Sequence, residues 1–489
     1  MGNPLVTDWG QIPRIFQHHI WAFAGGQTSN YYRPVQTLVY LVLHSIFGFD
    51  PLAFHLFQVL IHAANTLLVY RLARRLLKSA EGALVAGVLF AVHPIHCEAV
   101  DWIAVLPDVM LTLVALVALL LFVRFDAPRG PWIAVLTLLY FLALLVKETG
   151  VMLLPLFAAY EFLYLGRPLG QIIRRNATLY ATLTAAFGVY LLLRVHALGG
   201  LAPAQGFHYS LGGVVFVLSL ISTLGEYLAL LMSPVHLNYF RYFEPTTSVT
   251  LGLVVSLVSI LATIAAIFVL RNRRDSRALA SCFGLFLLLA TLAPALNLNG
   301  IGQNVVAERY LYLPSAGLVL GLSAAWDWLA HRQGAVAAGM VLLAVAASLS
   351  IVLPRNLEWR DDEQLLTATI ALSPRALAPL SDLGTYYYTQ GNYDAAIARY
   401  QQAVRLAPAN FEMHRNLGNA YQRKGAYAEA VAELREAVAL KPAAPDAHMS
   451  LGSPWERPAT WTAPSSKTSV LSRSAPTTRR LSPISLWCA

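Results

Sequence analysis

The chain has 489 residues, 57% of them hydrophobic and only 12% charged, with a mean hydropathy of +0.55. That composition excludes an ordinary soluble domain, in which charged residues reach about 25%. The formal net charge of +9 does not point to nucleic acid, because much of the Arg lies in short loops between apolar runs, where it sets membrane orientation.

Residues 1–30 read as a polar, aromatic outer loop, and Met1 opens no signal peptide. Residues 34–49 are apolar but short, stopped by Pro51, and are expected to lie in the interface. Candidate spans follow at 53–77, 82–93, 107–124, 131–146, 150–166, 177–197, 249–270, 278–296, 308–330 and 335–353, each compared with the roughly 20 residues that cross a bilayer. The basic clusters Arg71/Arg74/Arg75/Lys78, Arg124/Arg129, Arg167/Arg174/Arg175, Arg271–Arg277 and Arg332 share one side only if residues 211–232 are re-entrant or interfacial. The positive-inside rule then places these clusters in the cytoplasm and the opposite loops outside it.

Residues 377–408 and 411–442 are two helix-pair repeats in a 34-residue register. Leu383, Gly384, Tyr387, Ala396, Tyr400, Ala403 and Pro408 recur as Leu417, Gly418, Tyr421, Ala430, Leu434, Ala437 and Pro442. Small residues at a helix crossing, a bulky residue opposite and a closing proline form the tetratricopeptide (TPR) signature. A third repeat starts at Pro445 and breaks off after Gly452. Residues 453–489 then read as a frameshifted end or a disordered basic tail. The fold class is therefore all-α, a polytopic membrane bundle followed by a soluble TPR α-solenoid. Its domains are 1–50 (outer loop and interfacial helix), 51–354 (spans), 355–452 (TPRs) and 453–489 (tail).

Polar groups concentrate in the loops opposite the basic ones, and ionisable groups near membrane depth mark function by default. In the stretch from His93 to Trp102, Pro94 suits a first helical position with His93 as its cap. His96, Glu98 and Asp101 then occupy an outward helix start. There they bind a divalent metal, orient an acceptor, or simply cap the helix and answer its dipole. Tyr31-Tyr32-Arg33-Pro34 is suited to a lipid phosphate or to headgroup anchoring. Lys147-Glu148 reads as an ion pair in a tight hairpin, and Glu308-Arg309 opens a span with Arg309 at the interface. His18 and His19 read as solvated. Cys97, Cys282 and Cys488 have no metal or disulfide spacing. No Gly-rich phosphate loop, GxSxG or HExxH occurs. The excess of Arg over Lys suggests a GC-rich, bacterial genome.

Tyr32-Arg33-Pro34, the HPIHCEAVDW stretch from His93, Lys147-Glu148, residues 230–239 (LLMSPVHLNY), residues 308–315 (ERYLYLPS) and the repeats behind them form an ordered set. It resembles the transmembrane and TPR-containing protein O-mannosyltransferases, of the GT-C class. The resemblance implies transfer of a sugar, typically mannose, from a polyprenyl phosphate to Ser or Thr on the extracytoplasmic side. It implies Arg33, Tyr32, Lys147, Glu148, Arg309 and Glu308 as substrate-binding residues and Glu98, Asp101 and His96 as catalytic ones. His93, His96 and Glu98 are its candidates for a divalent metal, with a polypeptide acceptor captured by the TPRs. It also implies an acidic pair just ahead of an Asn-Pro, where this sequence begins at Met1-Gly2-Asn3-Pro4. The expectation is an incomplete gene model, located in a bacterial inner membrane with periplasmic TPRs. The rival expectations are a non-catalytic membrane-anchored TPR scaffold and a polymerase or ligase of lipid-linked glycans.

Overall fold

The computed structural model describes residues 4–19, 30–125, 127–200, 209–273, 275–300 and 304–442, and among them there are helices but no strands. The third repeat beyond Pro442 and the tail lie outside the described residues. The chain separates into two units, the first ending at Leu357 and the second beginning at Glu358.

The first unit opens with short helices α1 (Pro4–Thr7) and α2 (Ile12–Gln17) joined by a 3-10 turn that Asp8 caps, where a plain loop was expected. Next come α3 (Pro34–Phe47), α4 (Pro51–Leu77), α5 (Ala80–Val92), α6 (Cys97–Asp101), α7 (Leu106–Phe125) and α8 (Pro131–Val146). Prolines start α3, α4 and α8, at positions whose N–H would have no helical partner anyway. α9 (Leu153–Ala159) runs on through a π-helical turn to α10 (Leu169–Arg175) and α11 (Ala177–Leu198). α12 (Gly213–Met232), α13 (Leu251–Arg271), α14 (Ser276–Leu292), α15 (Tyr312–Ala330) and α16 (Gly334–Glu358) complete it.

Seven helices among the described residues are long and apolar enough to cross a membrane, and α5 with the segment after its 48° bend makes an eighth if counted as one span. The protein is a polytopic integral membrane protein. Its helices pack closely at small residues, as α14 does on α15. A Cβ on Gly284 would sit 2.6 Å from the Gly317 carbonyl oxygen, and one on Gly317 would overlap the Gly284 carbonyl. Small residues let backbones approach where lipid supplies no hydrophobic drive.

Two faces can be told apart by their hydrogen bonds. On the basic face Ser276 Oγ donates to Leu77 O (3.2 Å), Tyr164 OH to Leu76 O (2.7 Å), and Arg277 Nε meets Asp327 Oδ2 at 2.5 Å. The Arg guanidinium of residue 271 stacks on Phe162 at 3.7 Å. Arg71–Lys78 and Arg271–Arg277 therefore share a face. α12 is long enough to cross, yet both its ends are tied to the opposite face. Leu211 exchanges two 3.0 Å hydrogen bonds with Asn299, Tyr227 OH donates to Val305 O (2.9 Å), and His93 Nε2 lies 3.2 Å from Leu231 O. Both ends of α12 are thus bonded to segments of that opposite side.

The second unit contains α17 (Asp362–Leu372) and two helix pairs, α18 (Leu377–Thr389) with α19 (Tyr393–Leu406) and α20 (Phe411–Lys424) with α21 (Tyr427–Leu440). A Cβ on Gly384 would lie 2.6 Å from the Tyr400 ring, and one on Gly418 2.7 Å from Leu434 Cγ. Ala396 and Ala430 are fully buried beside them. Tyr387 OH donates to Glu363 Oε1 (2.6 Å) and Tyr421 OH accepts from Gln401 (2.8 Å), each bonding to the preceding helix pair. The register read from the sequence is the register of the packing, with Pro408 two residues past the end of α19 and Pro442 two past the end of α21.

Candidate functional site

Charge at the face opposite the basic loops is gathered around one cavity of about 550 Å³. Arg33, Lys147 and Arg194 line it with Asp108 and Glu148, leaving one positive charge in surplus (3 − 2). Tyr31, Tyr310, Thr149, Asn297 and Asn299 are among its other polar lining, and Leu111 and Leu313 among its apolar lining.

Each charge is placed by an identifiable turn. Arg33 precedes Pro34, as the residue just ahead of α3. Its guanidinium grips Glu148 through Nη2–Oε1 (2.8 Å) and Nε–Oε2 (3.3 Å) and stacks on Tyr31 at 4.4 Å. Lys147 ends α8 in extended backbone, and its ammonium reaches Asp108 Oδ1 at 2.5 Å. The hairpin that follows requires a glycine: a Cβ on Gly150 would meet the Ala143 carbonyl carbon and oxygen at 2.7 and 2.8 Å. Arg194, in the last turns of α11, donates to Asn30 O at 2.8 Å.

Burial alone would raise the Glu148 carboxyl, but Arg33, its paired hydrogen bond and Lys147 hold it down at about 2. Burial likewise disfavours the charged Arg33, and the facing Glu148 more than compensates, raising its pKa. Both charges are therefore fixed at neutral pH.

Arg309 stands one side chain behind the cavity. Its backbone N–H donates to Glu98 Oε2 (2.8 Å) and its guanidinium pairs with Glu98 Oε1. Between Arg309 and the cavity lies Tyr310, with the Arg309 guanidinium 4.9 Å and Lys147 Nζ 5.2 Å from its ring centre.

The structure thus brings Arg33, Lys147 and Glu148 together, with Arg309 adjoining. It corrects the expectation that Lys147 and Glu148 pair with each other, because consecutive residues in extended and 3-10 backbone point to different helices. Tyr32 is fully buried away from the cavity, donating to Phe16 O at 3.0 Å, and Tyr31 takes the wall position instead. Glu308 faces away, accepting from Asn238 N and lying 3.5 Å from Arg241. His93 caps its turn as expected, accepting from Ile95 N at 3.3 Å.

The three residues expected to be catalytic do not line the cavity. Glu98 is fully buried against Arg309, and buried His96 meets Ser315 Oγ at 2.8 Å. Asp101 accepts from Asn356 at 3.0 Å in the amide orientation that satisfies both ends of that side chain. His93, His96 and Glu98 do not converge as a metal site. Their side chains bond to Leu231, Ser315 and Arg309, and among the described residues no group of three His, Cys, Asp or Glu is placed to hold a metal ion.

Among the cavity residues, Arg194 and Tyr310 were given no role by the sequence reading, and Asp108 stood only as one of the outer polar groups. An arginine inside the apolar run of α11 was a usable signal, since such a charge needs a reason to be there.

The family profile described as dolichyl-phosphate-mannose-protein mannosyltransferase matches residues 34–193, and TPR profiles match residues 384–425 and 412–443. The protein O-mannosyl-transferase F38B6.6 of Caenorhabditis elegans is 26% identical over 84% of this chain and 59% of its own length. The protein O-mannosyl-transferase TMTC3 of Homo sapiens is 24% identical over 82% of this chain and 48% of its own. A shorter stretch is 32% identical to the protein O-mannosyl-transferase TMTC2 of Mus musculus, covering 40% of this chain and 25% of that one. Over most of its length the chain is similar to the transmembrane and TPR-containing protein O-mannosyltransferases. It spans about half the length of the first two of these family members. The first profile contains Arg33's neighbour Pro34, Asp108, Lys147 and Glu148, so most of the cavity's charge lies in or beside the matched segment.

Proposed function

We propose that the cavity binds the phosphate of a polyprenyl-phosphate sugar and that the protein transfers that sugar, mannose, to Ser or Thr of a polypeptide. The observation that carries this reading is the convergence of Arg33, Lys147 and Arg194 on one cavity with a positive surplus, whose lining also includes apolar Leu111 and Leu313. A lipid-linked anion needs cations at headgroup depth and an apolar path below them. As the glycosyl bond breaks, negative charge grows on the departing phosphate, and preorganised cations stabilise it most at that moment.

Glu148 and Asp108 act as counter-ions. A carboxylate held at about 2 by a guanidinium is a poor acceptor for a hydroxyl proton, so we assign Glu148 to the donor side only. Glu98, Asp101 and His96 are reassigned from chemistry to support: Glu98 fixes Arg309, which backs Tyr310. The return of α16 to this face, through Asn356 and Asp101, supports an orientation in which the chain leaves the membrane on the extracytoplasmic side, where the TPRs would meet the acceptor.

The pairing of both cavity carboxylates with cations favours one further reading, a receptor that holds the lipid-linked sugar without transferring it. One experiment separates the two. The purified chain in nanodiscs is given labelled polyprenyl-phosphate mannose and a Ser/Thr peptide. Binding with transfer supports the enzyme, binding without transfer supports the receptor, and absence of saturable binding rejects the cavity assignment.

A further inference from the structure

We propose that the Tyr310 hydroxyl is a substrate-binding group, donating a hydrogen bond to the phosphate held in the cavity. The inference rests on the cavity reading above and names a contact that reading does not require.

Tyr310 lines the cavity and is half-buried. Its ring is held by two cations, Arg309 at 4.9 Å and Lys147 at 5.2 Å from the centroid. Arg309 in turn is immobilised by two hydrogen bonds to fully buried Glu98. The ring is therefore fixed before any ligand arrives. Phenols in these surroundings normally find a partner: Tyr32 donates to Phe16 O, Tyr227 to Val305 O, and Tyr312 OH meets His62 at 2.7 Å and Asn65 at 3.2 Å. The Tyr310 hydroxyl makes no hydrogen bond to a described residue.

Packing gives no reason for that hydroxyl. Cation–π contact uses the ring face alone, and Phe would provide it equally. A hydroxyl that donates to an ionised phosphate makes a charge-assisted hydrogen bond, roughly twice as strong as a neutral one. Lys147, which shares the ring with Arg309, is itself one of the proposed phosphate ligands, so a phosphate beside its ammonium comes within reach of the phenol. Fixed donors aimed at such an anion bind without reorganising.

The test is equilibrium binding of labelled polyprenyl-phosphate mannose to the full chain in nanodiscs, with unlabelled polyprenyl phosphate and inorganic phosphate as competitors. Tyr310→Phe is compared with Lys147→Ala and Tyr310→Leu. A hydrogen bond to a charged group is worth roughly a factor of ten or more in affinity. Tyr310→Phe is therefore expected to bind about tenfold more weakly with an unchanged melting temperature, while Tyr310→Leu also melts earlier. If Tyr310→Phe binds like the parent while Lys147→Ala is weakened, the hydroxyl has no ligand and the inference is overturned. If neither is weakened, the cavity reading itself falls. Competition by polyprenyl phosphate but not by inorganic phosphate identifies the ligand as a lipid headgroup. Equal competition by both would identify a free-anion site and overturn the lipid assignment.

Discussion

Lys147 and Glu148 are adjacent in the chain, but their charges are bound by residues 39 and 115 positions away, Asp108 on α7 and Arg33 ahead of α3. Two neighbouring side chains thus tie three segments into one wall of the cavity. The Lys147–Asp108 pair is the better buried, with side-chain exposures of 5% and 11%. Removing one partner of such a pair leaves an uncompensated charge, whereas replacing both with apolar groups is close to neutral. Lys147→Met is expected to destabilise the membrane unit by about 3 kcal/mol, and the double variant Lys147→Met/Asp108→Leu to recover most of that loss. Thermal melting of the two variants in the same detergent decides it. A double variant no better than the single one would mean the pair is incidental.

The Arg33–Glu148 pair sets an acid limit. The folded-state carboxyl is depressed to about 2 from a reference of 4.5. Its contribution to stability is therefore fully present above about pH 4.5 and is lost as pH falls towards 2. Melting temperature is expected to be flat with respect to this group from pH 8 to about 5 and to drop below pH 4, with Glu148→Gln flattening part of the acid limb. An identical acid limb in Glu148→Gln would remove this pair from the explanation.

These pairings explain how far the sequence could be read. The TPR register was legible because each repeat carries its packing in fixed local spacing, so Gly384 against Tyr400 and Gly418 against Leu434 follow from position alone. Arg33, Lys147 and Arg309 were legible as charges at membrane depth. Their partners were not, because a salt bridge between residues 33 and 148 depends on how distant helices cross. The same limit exchanged Tyr31 for Tyr32: of these adjacent residues one lines the cavity and the other is buried against Phe16, which spacing alone does not decide. Arg194 was hidden inside an apolar run already counted as a span, whereas Asp108 was visible as an outer polar group but its pairing with Lys147 was not.

Gly150 makes the hairpin of the cavity possible, and no side chain fits there. A methyl group would press on the Ala143 carbonyl at 2.7–2.8 Å, and backbone cannot yield as a flexible side chain does. Gly150→Ala is expected to cost about 1–3 kcal/mol and to weaken lipid-phosphate binding by displacing Lys147 and Glu148 together. Gly170→Ala, in open space on α10, is the control and should leave both measurements unchanged. Normal binding by a folded Gly150→Ala protein would show that the hairpin tolerates a shift and that the ion pairs alone place the cations.

The placement of α12 predicts a labelling pattern. Length and composition let this helix cross a membrane, but the bonds from Leu211 to Asn299 and from Leu231 to His93 hold both ends at the cavity face. Ser210 and Ser233, both exposed, bracket it, and exposed Lys78 marks the basic face. Cys97 and Cys282 are buried, so a background with Cys488→Ser leaves little for a charged maleimide to attack. In sealed, oriented vesicles Ser210→Cys and Ser233→Cys are expected to react from the same side, and Lys78→Cys from the other. If positions 210 and 233 react from opposite sides, α12 spans the bilayer. Every segment after it would then change sides, so the cavity could not be built from loops on both sides of α12, and Arg271–Arg277 would leave the face of the other basic clusters. The hydrogen bonds between Ser276 and Leu77 and between Ser79 and Asp327, which join segments before and after α12 on the basic face, require the same-side result.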